Sequence, residues 1–294
     1  MRFHKYHALG NDYLVLDDAD PDRLAAPLVR RICDRHFGVG SDGILLGTST
    51  PSADGFVLRI FNPDGSEAEK SGNGLRIFAR HLWDAGRVGG DVFRVETRGG
   101  TVRCQVRESG RAVFVEMGRA SFDSARIPVA GPQREVVAEP IEVDGEHLHF
   151  TGVTVGNPHC VIHTEQPSPA LARRLGPRLE THPLFPNRTN VQFVLVLAPD
   201  RLRIEIWERG AGYTLASGSS CCAAAAASVR LGLCAGNVSV VMPGGTLEIG
   251  VGDDFTVTMV GPVSRVAEGT IAQELLEDAT EGGDHRASGV AVRS

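Results

Sequence analysis

Two stretches decide the fold: residues 71–86, SGNGLRIFARHLWDAG, and residues 217–232, SGSSCCAAAAASVRLG. Each begins with Ser-Gly, continues with a helix-forming run and ends at a glycine. Serine is a preferred residue at the N-cap of a helix, and glycine is preferred just past the helix end. We therefore predict a helix in each stretch, with a serine at its start.

The two stretches lie 146 residues apart, and two further pairs of motifs share this offset. Gly10-Asn11 matches Gly156-Asn157, and Ile60-Phe61-Asn62 matches Ile206-Trp207-Glu208. The matched positions are turns and helix starts, where functional residues tend to lie. The offset predicts two halves of similar topology that face each other across a cleft.

Short β-rich segments surround the two predicted helices. They are 3–17 (with a turn at Gly10-Asn11-Asp12), 44–46, 56–61, 92–97, 101–107, 112–117, 153–155, 191–197 and 202–207, and two more helices are predicted over 21–36 and 169–179. Many short strands and few helices favour an α+β fold with two pseudo-symmetric halves, each a barrel-like β-sheet around a central helix. The expected boundaries are 1–118 (with 264–277 returning to it), 119–263, and a disordered tail over 278–294.

The composition is that of an ordinary globular protein, with 294 residues, 42% hydrophobic and 22% charged. The net charge of −6 and the lack of a basic block argue against a nucleic-acid partner. The start of the chain has no apolar signal core, and the run 221–227 is too short to span a bilayer, so we expect a cytoplasmic protein without a membrane partner. Six cysteines without a CxxC pair favour free thiols over disulfides or a metal site.

The paired helix starts favour the binding of a carboxylate. The first N–H groups of a helix are unsatisfied, and the helix dipole adds positive potential there. Cofactor-free removal of an α-proton from an amino acid needs such a potential, and inversion needs one base on each face of the carbon. The alternative is that each serine is an ordinary N-cap.

Five motifs in chain order carry a resemblance to a known family. They are Lys5-Tyr6-His7-Ala8-Leu9-Gly10-Asn11-Asp12, Phe61-Asn62-Pro63-Asp64-Gly65-Ser66-Glu67, Ser71-Gly72-Asn73-Gly74-Leu75-Arg76, Gly156-Asn157-Pro158-His159-Cys160 and Glu208-Arg209-Gly210-Ala211-Gly212. In these motifs the chain resembles the pyridoxal-independent diaminopimelate epimerases, over most of residues 1–275. The resemblance implies epimerisation of LL-diaminopimelate to meso-diaminopimelate without a cofactor, a step toward lysine and peptidoglycan precursors. It also implies a small amino-acid substrate, and it is compatible with a homodimer.

The resemblance implies roles for the matching positions. The substrate's amino and carboxylate groups would be held by Asn11, Asn62, Asn157, Asn190, Glu208 and Arg209, and helix-end N–H groups would come from Gly72, Asn73, Gly218 and Ser219. His159 and Glu208 would adjust the proton affinity of the two bases. Without the resemblance, Glu208-Arg209 indicates a solvated ion pair, and His159 indicates a buried polar residue with satisfied hydrogen bonds.

One departure concerns the bases themselves, which are cysteines in the family and are Ser71 and Ser217 here. A thiol can be tuned to ionise near neutral pH, whereas a hydroxyl needs an adjacent base to accept a proton. Cys221 and Cys222 lie about one helical turn, or about 5.4 Å, beyond Ser217, which is too far for them to replace it. We expect these two cysteines to pack in the core.

Other positions also depart from the family pattern, namely Ile44, Lys70, Ile77 and Tyr213. Three explanations of the serines stay open: a double Cys-to-Ser form that traps substrate, a natural variant with serine acid/base groups, or a pocket with a lost or changed reaction. Three functions stay open as well. They are a diaminopimelate epimerase or a racemase of another amino acid, an isomerase like those of the phenazine pathway with Glu208 as its base, and a non-catalytic amino-acid-binding protein.

Overall fold

The computed structural model describes residues 1–16, 24–49 and 55–278. The tail predicted over 278–294 lies outside the described residues, except for Asp278 at the end of the last helix. The first residues of the helix predicted over 21–36, namely 21–23, also lie outside the described residues.

The described residues form strands and a small number of helices. The strands are β1 Arg2–Ala8, β2 Asn11–Leu16, β3 Ile44–Ser49, β4 Gly55–Phe61, β5 Glu67–Ala68, β6 Phe93–Thr97, β7 Gly100–Arg107, β8 Ala112–Arg119, β9 Glu139–Val143, β10 Glu146–Thr154, β11 Pro158–His163, β12 Asn190–Ala198, β13 Arg201–Glu208, β14 Gly212–Thr214, β15 Asn237–Met242, β16 Gly245–Val251, β17 Thr256–Pro262 and β18 Ser264–Thr270. The helices are α1 Ala26–Cys33, α2 Gly72–Asp84, α3 Pro169–Glu180, α4 Gly218–Arg230 and α5 Gln273–Asp278, with a 3-10 turn at Glu108–Gly110.

Strand pairing follows the same order in both halves of the chain. In the first half, β1 lies between β18 and β2, β2 runs parallel to β3, β3 pairs with β4, β4 runs parallel to β6, and β6, β7 and β8 form an antiparallel meander. In the second half, β10 lies between β9 and β11, β11 runs parallel to β12, β12 pairs with β13, β13 runs parallel to β15, and β15, β16 and β17 form the meander. The prediction of a sheet-rich α+β fold with two pseudo-symmetric halves is confirmed.

The last strands of the two meanders, β8 and β17, pair with each other and join the halves. Phe114 pairs with Val260, which lies 146 residues further along the chain. The neighbouring pairs are Val115 with Met259 and Val113 with Gly261. The same offset relates Val113 to Met259 and Val115 to Gly261, so these two pairs are equivalent to each other. The axis that relates the halves therefore passes through the Phe114–Val260 pair.

The helices α2 and α4 are the equivalent central helices, each of 13 residues. Both end in the same way, because the Gly86 N–H donates to Trp83 O at 2.9 Å and the Gly232 N–H donates to Val229 O at 2.9 Å. Both glycines have positive φ, +67° and +71°, a conformation that glycine adopts without strain. The two helices predicted from the opening stretches are confirmed.

Burial explains the composition of α4. Every alanine from Ala223 to Ala227 is fully buried, and so are Cys221 and Cys222. Small side chains let the sheet of the second half approach the helix on all sides, so α4 lies inside its half. The prediction that the two cysteines pack in the core is confirmed, and burial raises the pKa of the Cys222 thiol to about 12.

Several sequence-based boundaries were wrong. The first turn lies at Leu9–Gly10, and Asn11 already begins β2. The helix α1 ends at Cys33 instead of residue 36, because the Asp34 carboxylate accepts the N–H groups of His36 and Phe37, both at 2.8 Å. The strands β5, β9, β11 and β14–β18 and the helix α5 were not predicted. No helix in the described part of the chain is long and apolar enough to cross a membrane.

Candidate active site

The starts of α2 and α4 meet at two glycines. A Cβ atom added at Gly218 would lie 3.5 Å from the Cα of Gly72, and one added at Gly72 would lie 2.6 Å from Cε of Met259. The Cβ atom added at Gly218 would also lie 3.2 Å from Sδ of Met259. Since the Cα of Gly72 would be in van der Waals contact with a Cβ at Gly218, the two helix starts come together, and the N–H groups at their N-termini share one region.

Ser71 is the N-cap of α2 and is half-buried. Its Oγ accepts the backbone N–H of Gly74 at 3.1 Å, which is the usual hydrogen bond of a serine cap. The Tyr13 hydroxyl lies 3.4 Å from the same Oγ. Ser71 thus performs the ordinary capping role and has a phenol beside it.

Ser217 is the N-cap of α4, but its side chain makes no capping hydrogen bond. It is 5% exposed, and its hydroxyl lies close enough to the carboxylate of Glu208 to lower the pKa of that carboxyl. Burial raises the pKa of Glu208 to about 7, although hydrogen bonds from Thr214 and Ser217 oppose the shift. A carboxylate of this kind can exchange a proton near neutral pH, and it is the adjacent base that a serine needs.

The predicted binding residues next to the helix starts form two equivalent pairs. Asn73 donates from Nδ2 to Oδ1 of Asn11 at 2.9 Å, and Asn157 donates from Nδ2 to Oγ of Ser219 at 3.5 Å. Each pair joins residues 62 positions apart, so the two contacts are related by the symmetry of the halves. The structure therefore brings these four residues to the two helix starts.

His159 is fully buried beside the second pair. Its Nε2 lies 2.9 Å from Oδ1 of Asn157, and burial lowers its pKa to about 3, with a further contribution from the charge of Arg209. His159 is therefore neutral at neutral pH. The structure gives it a bond to Asn157 instead of a bond to either serine, so its predicted influence on the bases would be indirect.

Asn190 and Arg209 are also brought together. The Asn190 amide donates to Pro158 O at 2.8 Å and accepts the Arg209 N–H at 3.0 Å, so its side chain fixes the backbone that follows Glu208. The Arg209 side chain is exposed and donates to Asn187 O at 3.2 Å. Asn190 is 4% exposed and stabilises the backbone of the site, whereas the exposed Arg209 guanidinium is accessible to a ligand.

Asn62 occupies the position equivalent to Glu208, at the end of β4. Its Nδ2 donates to Oγ of Ser66 at 3.0 Å, across the turn formed by Asn62-Pro63-Asp64-Gly65. No hydrogen bond joins Asn62 to the other predicted site residues in the described ranges.

Tyr13 and Asp42 were missed by the sequence analysis. Asp42 accepts Nδ2 of Asn11 at 3.0 Å, and its charge contributes to raising the pKa values of both Glu208 and Tyr13. The charge of Glu208 in turn acts on Tyr13, so groups from both halves share one region. The 146-residue offset was the available signal, because it pairs Tyr13 with His159.

The positions that depart from the family pattern have structural contacts of their own. Ile44 and Ile77 are fully buried. Lys70 donates to Met117 O at 2.5 Å, and the Tyr213 hydroxyl donates to Glu205 at 2.7 Å. Within the described ranges, no three His, Cys, Asp or Glu side chains are placed to hold a metal ion.

Comparisons with known proteins agree with this geometry. The family described as diaminopimelate epimerase matches residues 3–122 and 151–266. The chain is 53% identical to diaminopimelate epimerase 2 of Nostoc sp., over 94% of this chain and 97% of the relative. It is 42% identical to the diaminopimelate epimerase of Pelotomaculum thermopropionicum, over 92% and 98%.

Solved structures share the fold at low sequence identity. A probable proline racemase from Agrobacterium radiobacter is 16% identical, with a TM-score of 0.69 over 92% of this chain and 93% of that chain. A phenazine biosynthesis protein from Bacillus anthracis is 14% identical, with a TM-score of 0.62 over 92% and 98%. Together with the sequence matches over nearly the whole chain, these findings show that the chain belongs to the diaminopimelate epimerase family.

Proposed function

We propose that this protein epimerises LL-diaminopimelate to meso-diaminopimelate by proton transfer at the α-carbon, without a cofactor. The contact between the two helix starts at Gly72 and Gly218 carries this proposal. It offers one substrate carboxylate the N–H groups of two helices at once, and it leaves one serine at the start of each helix. Support for the substrate comes from the relatives that share up to 53% identity and are named for it.

In the proposed reaction, the substrate carboxylate lies at the N-termini of α2 and α4. Removal of the α-proton places negative charge on that carboxylate as an enediolate, and preorganised N–H donors stabilise such charge. Ser217 takes the proton on one face, while its own proton passes to the neighbouring Glu208 carboxylate. Ser71 lies at the equivalent position for the opposite face.

The other predicted residues would bind the rest of the substrate. Arg209, with an exposed guanidinium, is suited to the distal carboxylate of diaminopimelate. Asn11, Asn73, Asn157 and Ser219 would align the amino group and the reacting centre. Asn62, Asn190 and His159 would support this arrangement from behind, and Asn190 does so by holding the Arg209 backbone.

The experiment that tests the proposal is exchange of the α-hydrogen of LL-diaminopimelate with solvent deuterium, followed by proton NMR. We expect exchange and inversion with the wild-type chain, and a large gain in the Ser71→Cys, Ser217→Cys double variant because thiols are far stronger acids than hydroxyls. Absence of exchange in both forms would overturn the proposed function.

The same experiment separates the alternatives. Exchange with another amino acid in preference to diaminopimelate would indicate a racemase of different specificity. Calorimetric binding of diaminopimelate without exchange in either form would indicate a non-catalytic binding protein. Turnover of a substrate without inversion, dependent on Glu208 but not on the serines, would indicate an isomerase of the phenazine-pathway kind.

We further propose that the halves are residues 1–118 with 264–277, and residues 119–263. The pairing of β18 with β1 supports the return of the C-terminal segment to the first half. The proposal also includes a cytoplasmic location, since a step toward lysine and peptidoglycan precursors takes place where those precursors are made. It includes a homodimer as well. Size measurement in solution and fractionation of cells test these two points.

A further inference from the structure

Tyr13 is a buried phenol that the proposed reaction has not yet used. It is 6% exposed on β2, and its hydroxyl lies 3.4 Å from Oγ of Ser71. Within the described residues, this is the one hydrogen bond of the Tyr13 hydroxyl. Each serine therefore has its own titratable neighbour, Tyr13 for Ser71 and Glu208 for Ser217.

The Tyr13 ring is held in one place by its packing against Gly43. A Cβ atom added at Gly43 would lie 2.6 Å from Cε1 of the ring and 2.5 Å from the carbonyl oxygen of Phe61. No residue with a side chain fits there, because backbone blocks the alternative direction. The phenol is thus aimed at Ser71 by rigid surroundings, as a proton donor must be.

The hydrogen bonds of Ser71 allow an arrangement in which its own proton is free for the cleft. A serine hydroxyl has one hydrogen and two acceptor lone pairs. One lone pair accepts the Gly74 N–H at 3.1 Å, and the second can accept the Tyr13 O–H across 3.4 Å, although either hydroxyl of this contact can be the donor. When Tyr13 is the donor, the hydrogen of Ser71 points in a third direction, away from both of these partners.

We propose, on the basis of the function proposed above, that Tyr13 is a positioning residue that resupplies the proton which Ser71 gives to the α-carbon. The reaction then runs between two relays of unlike chemistry, Glu208 with Ser217 on one face and Tyr13 with Ser71 on the other.

The proton balance of this scheme closes. The α C–H bond breaks as its proton passes to Ser217 Oγ, the Ser217 proton passes to the Glu208 carboxylate, and the electron pair stays on the substrate as an enediolate. On the opposite face, Ser71 gives its proton to the α-carbon and takes the proton of Tyr13, which becomes a phenolate. Solvent then takes a proton from the Glu208 carboxylic acid and returns one to the Tyr13 phenolate.

The electrostatics of the two groups agree with these directions. Burial raises the pKa of Tyr13 to about 12. The hydrogen bond to Ser71 lowers this pKa, whereas the charges of Glu208 and Asp42 raise it further. Burial brings the pKa of Glu208 to about 7. At neutral pH the phenol therefore keeps its proton to give, and a substantial fraction of Glu208 is ready to accept one.

The test is Tyr13→Phe, which removes the hydroxyl and keeps the ring beside Gly43. Tyr6→Phe is the matched control, because Tyr6 pairs with Tyr13 across β1 and β2, is fully buried, and donates its hydroxyl to Asp84 at 3.0 Å, away from the serines. For each variant, inversion and α-hydrogen exchange in deuterium oxide are measured separately, starting from LL- and from meso-diaminopimelate.

We expect Tyr13→Phe to lower inversion at least about 100-fold, the usual contribution of general acid–base catalysis. Exchange with retention should persist from the one stereoisomer whose α-hydrogen faces Ser217, because Glu208 and Ser217 are intact. Tyr6→Phe should leave the ratio of inversion to exchange at its wild-type value. A purely structural role of Tyr13 would lower exchange and inversion together.

A second variant makes the relay itself testable. In a Ser71→Cys background the thiol ionises without help, so adding Tyr13→Phe should have little effect on inversion. Wild-type inversion rates in Tyr13→Phe, an equal loss of exchange and inversion, or an equal penalty in the Ser71→Cys background would each overturn the proposal. Inactivity of the wild-type chain beside an active double-cysteine form would overturn it too, while leaving the proposed function of the pocket in place.

Discussion

The serines that begin α2 and α4 have almost the same backbone and different side-chain partners. Their φ and ψ angles are −139° and 119° for Ser71, and −146° and 119° for Ser217. Ser71 caps its helix and contacts a phenol, whereas Ser217 leaves its helix uncapped and lies beside a carboxylate. The comparison shows that the fold fixes where each hydroxyl lies, and that residues outside the helices decide its proton chemistry.

The largest expected difference between the two helix starts comes from Glu208. The equivalent residue in the first half is Asn62, which has an amide in place of the carboxylate. In Glu208→Gln we expect α-hydrogen exchange to fall by about 100- to 10,000-fold, since the relay base is lost. In the wild type the exchange rate should rise with pH through about 7, because the carboxylate must be ionised to accept the proton.

Rates of exchange between pH 5 and pH 9 measure both effects. Glu205→Gln is the matched control, because Glu205 lies on the same strand and accepts the hydroxyl of Tyr213 instead of a serine. The pH dependence near 7 should survive in that control. Its survival in Glu208→Gln would show that another group is the base.

A smaller effect is expected where the two helix starts touch. Gly72→Ala should lower the free energy of unfolding by about 1–2 kcal/mol, since its Cβ would lie 2.6 Å from Cε of Met259, and this fully buried side chain must shift to make room. Gly218→Ala should cost less, because its closest contact is 3.2 Å. Urea denaturation measures both, with Gly89→Ala as control in open space. Equal costs at all three glycines would contradict the close contact.

The smallest effect concerns capping. Ser71→Ala should lower the free energy of unfolding by about 1 kcal/mol, because the Gly74 N–H loses its acceptor. Ser217→Ala should lack this capping loss, because Ser217 makes no such bond. Thermal unfolding of the two variants side by side checks the difference. A capping loss in Ser217→Ala equal to that in Ser71→Ala would remove the distinction between the two helix starts.

Much of the fold could be predicted because it is recorded in local signals. Serine at a helix start and glycine past its end are conformational preferences of single residues, so α2 and α4 were located to within one or two positions. The strands β17 and β18 also pair with β8 and β1, which lie far away in the chain, so no local signal records these contacts. The hairpin of β15 and β16 is local, and the sequence analysis missed it. The end of α1 depended on one side chain, Asp34, which competes for backbone N–H groups.

The site was harder to predict than the fold. Motifs placed Ser71, Ser217 and the residues beside them, but the different duties of the two serines depend on long-range contacts with Tyr13 and Glu208. The elevated pKa of Glu208 results from burial, which a sequence motif does not record. The framework role of Asn190 also appears only when its amide is seen to join Pro158 and Arg209.

The pairing of β8 with β17 has a consequence for the ancestry of the chain. Phe114 faces its own counterpart, Val260, so the seam has the isologous geometry of a twofold dimer of identical subunits. In a dimer of identical subunits every mutation appears in both copies, whereas in a fused chain a mutation can appear in one half alone. Duplication followed by fusion would thus have released the two copies to diverge, and the asymmetry between Asn62 and Glu208 is the kind of difference that only a fused chain can hold.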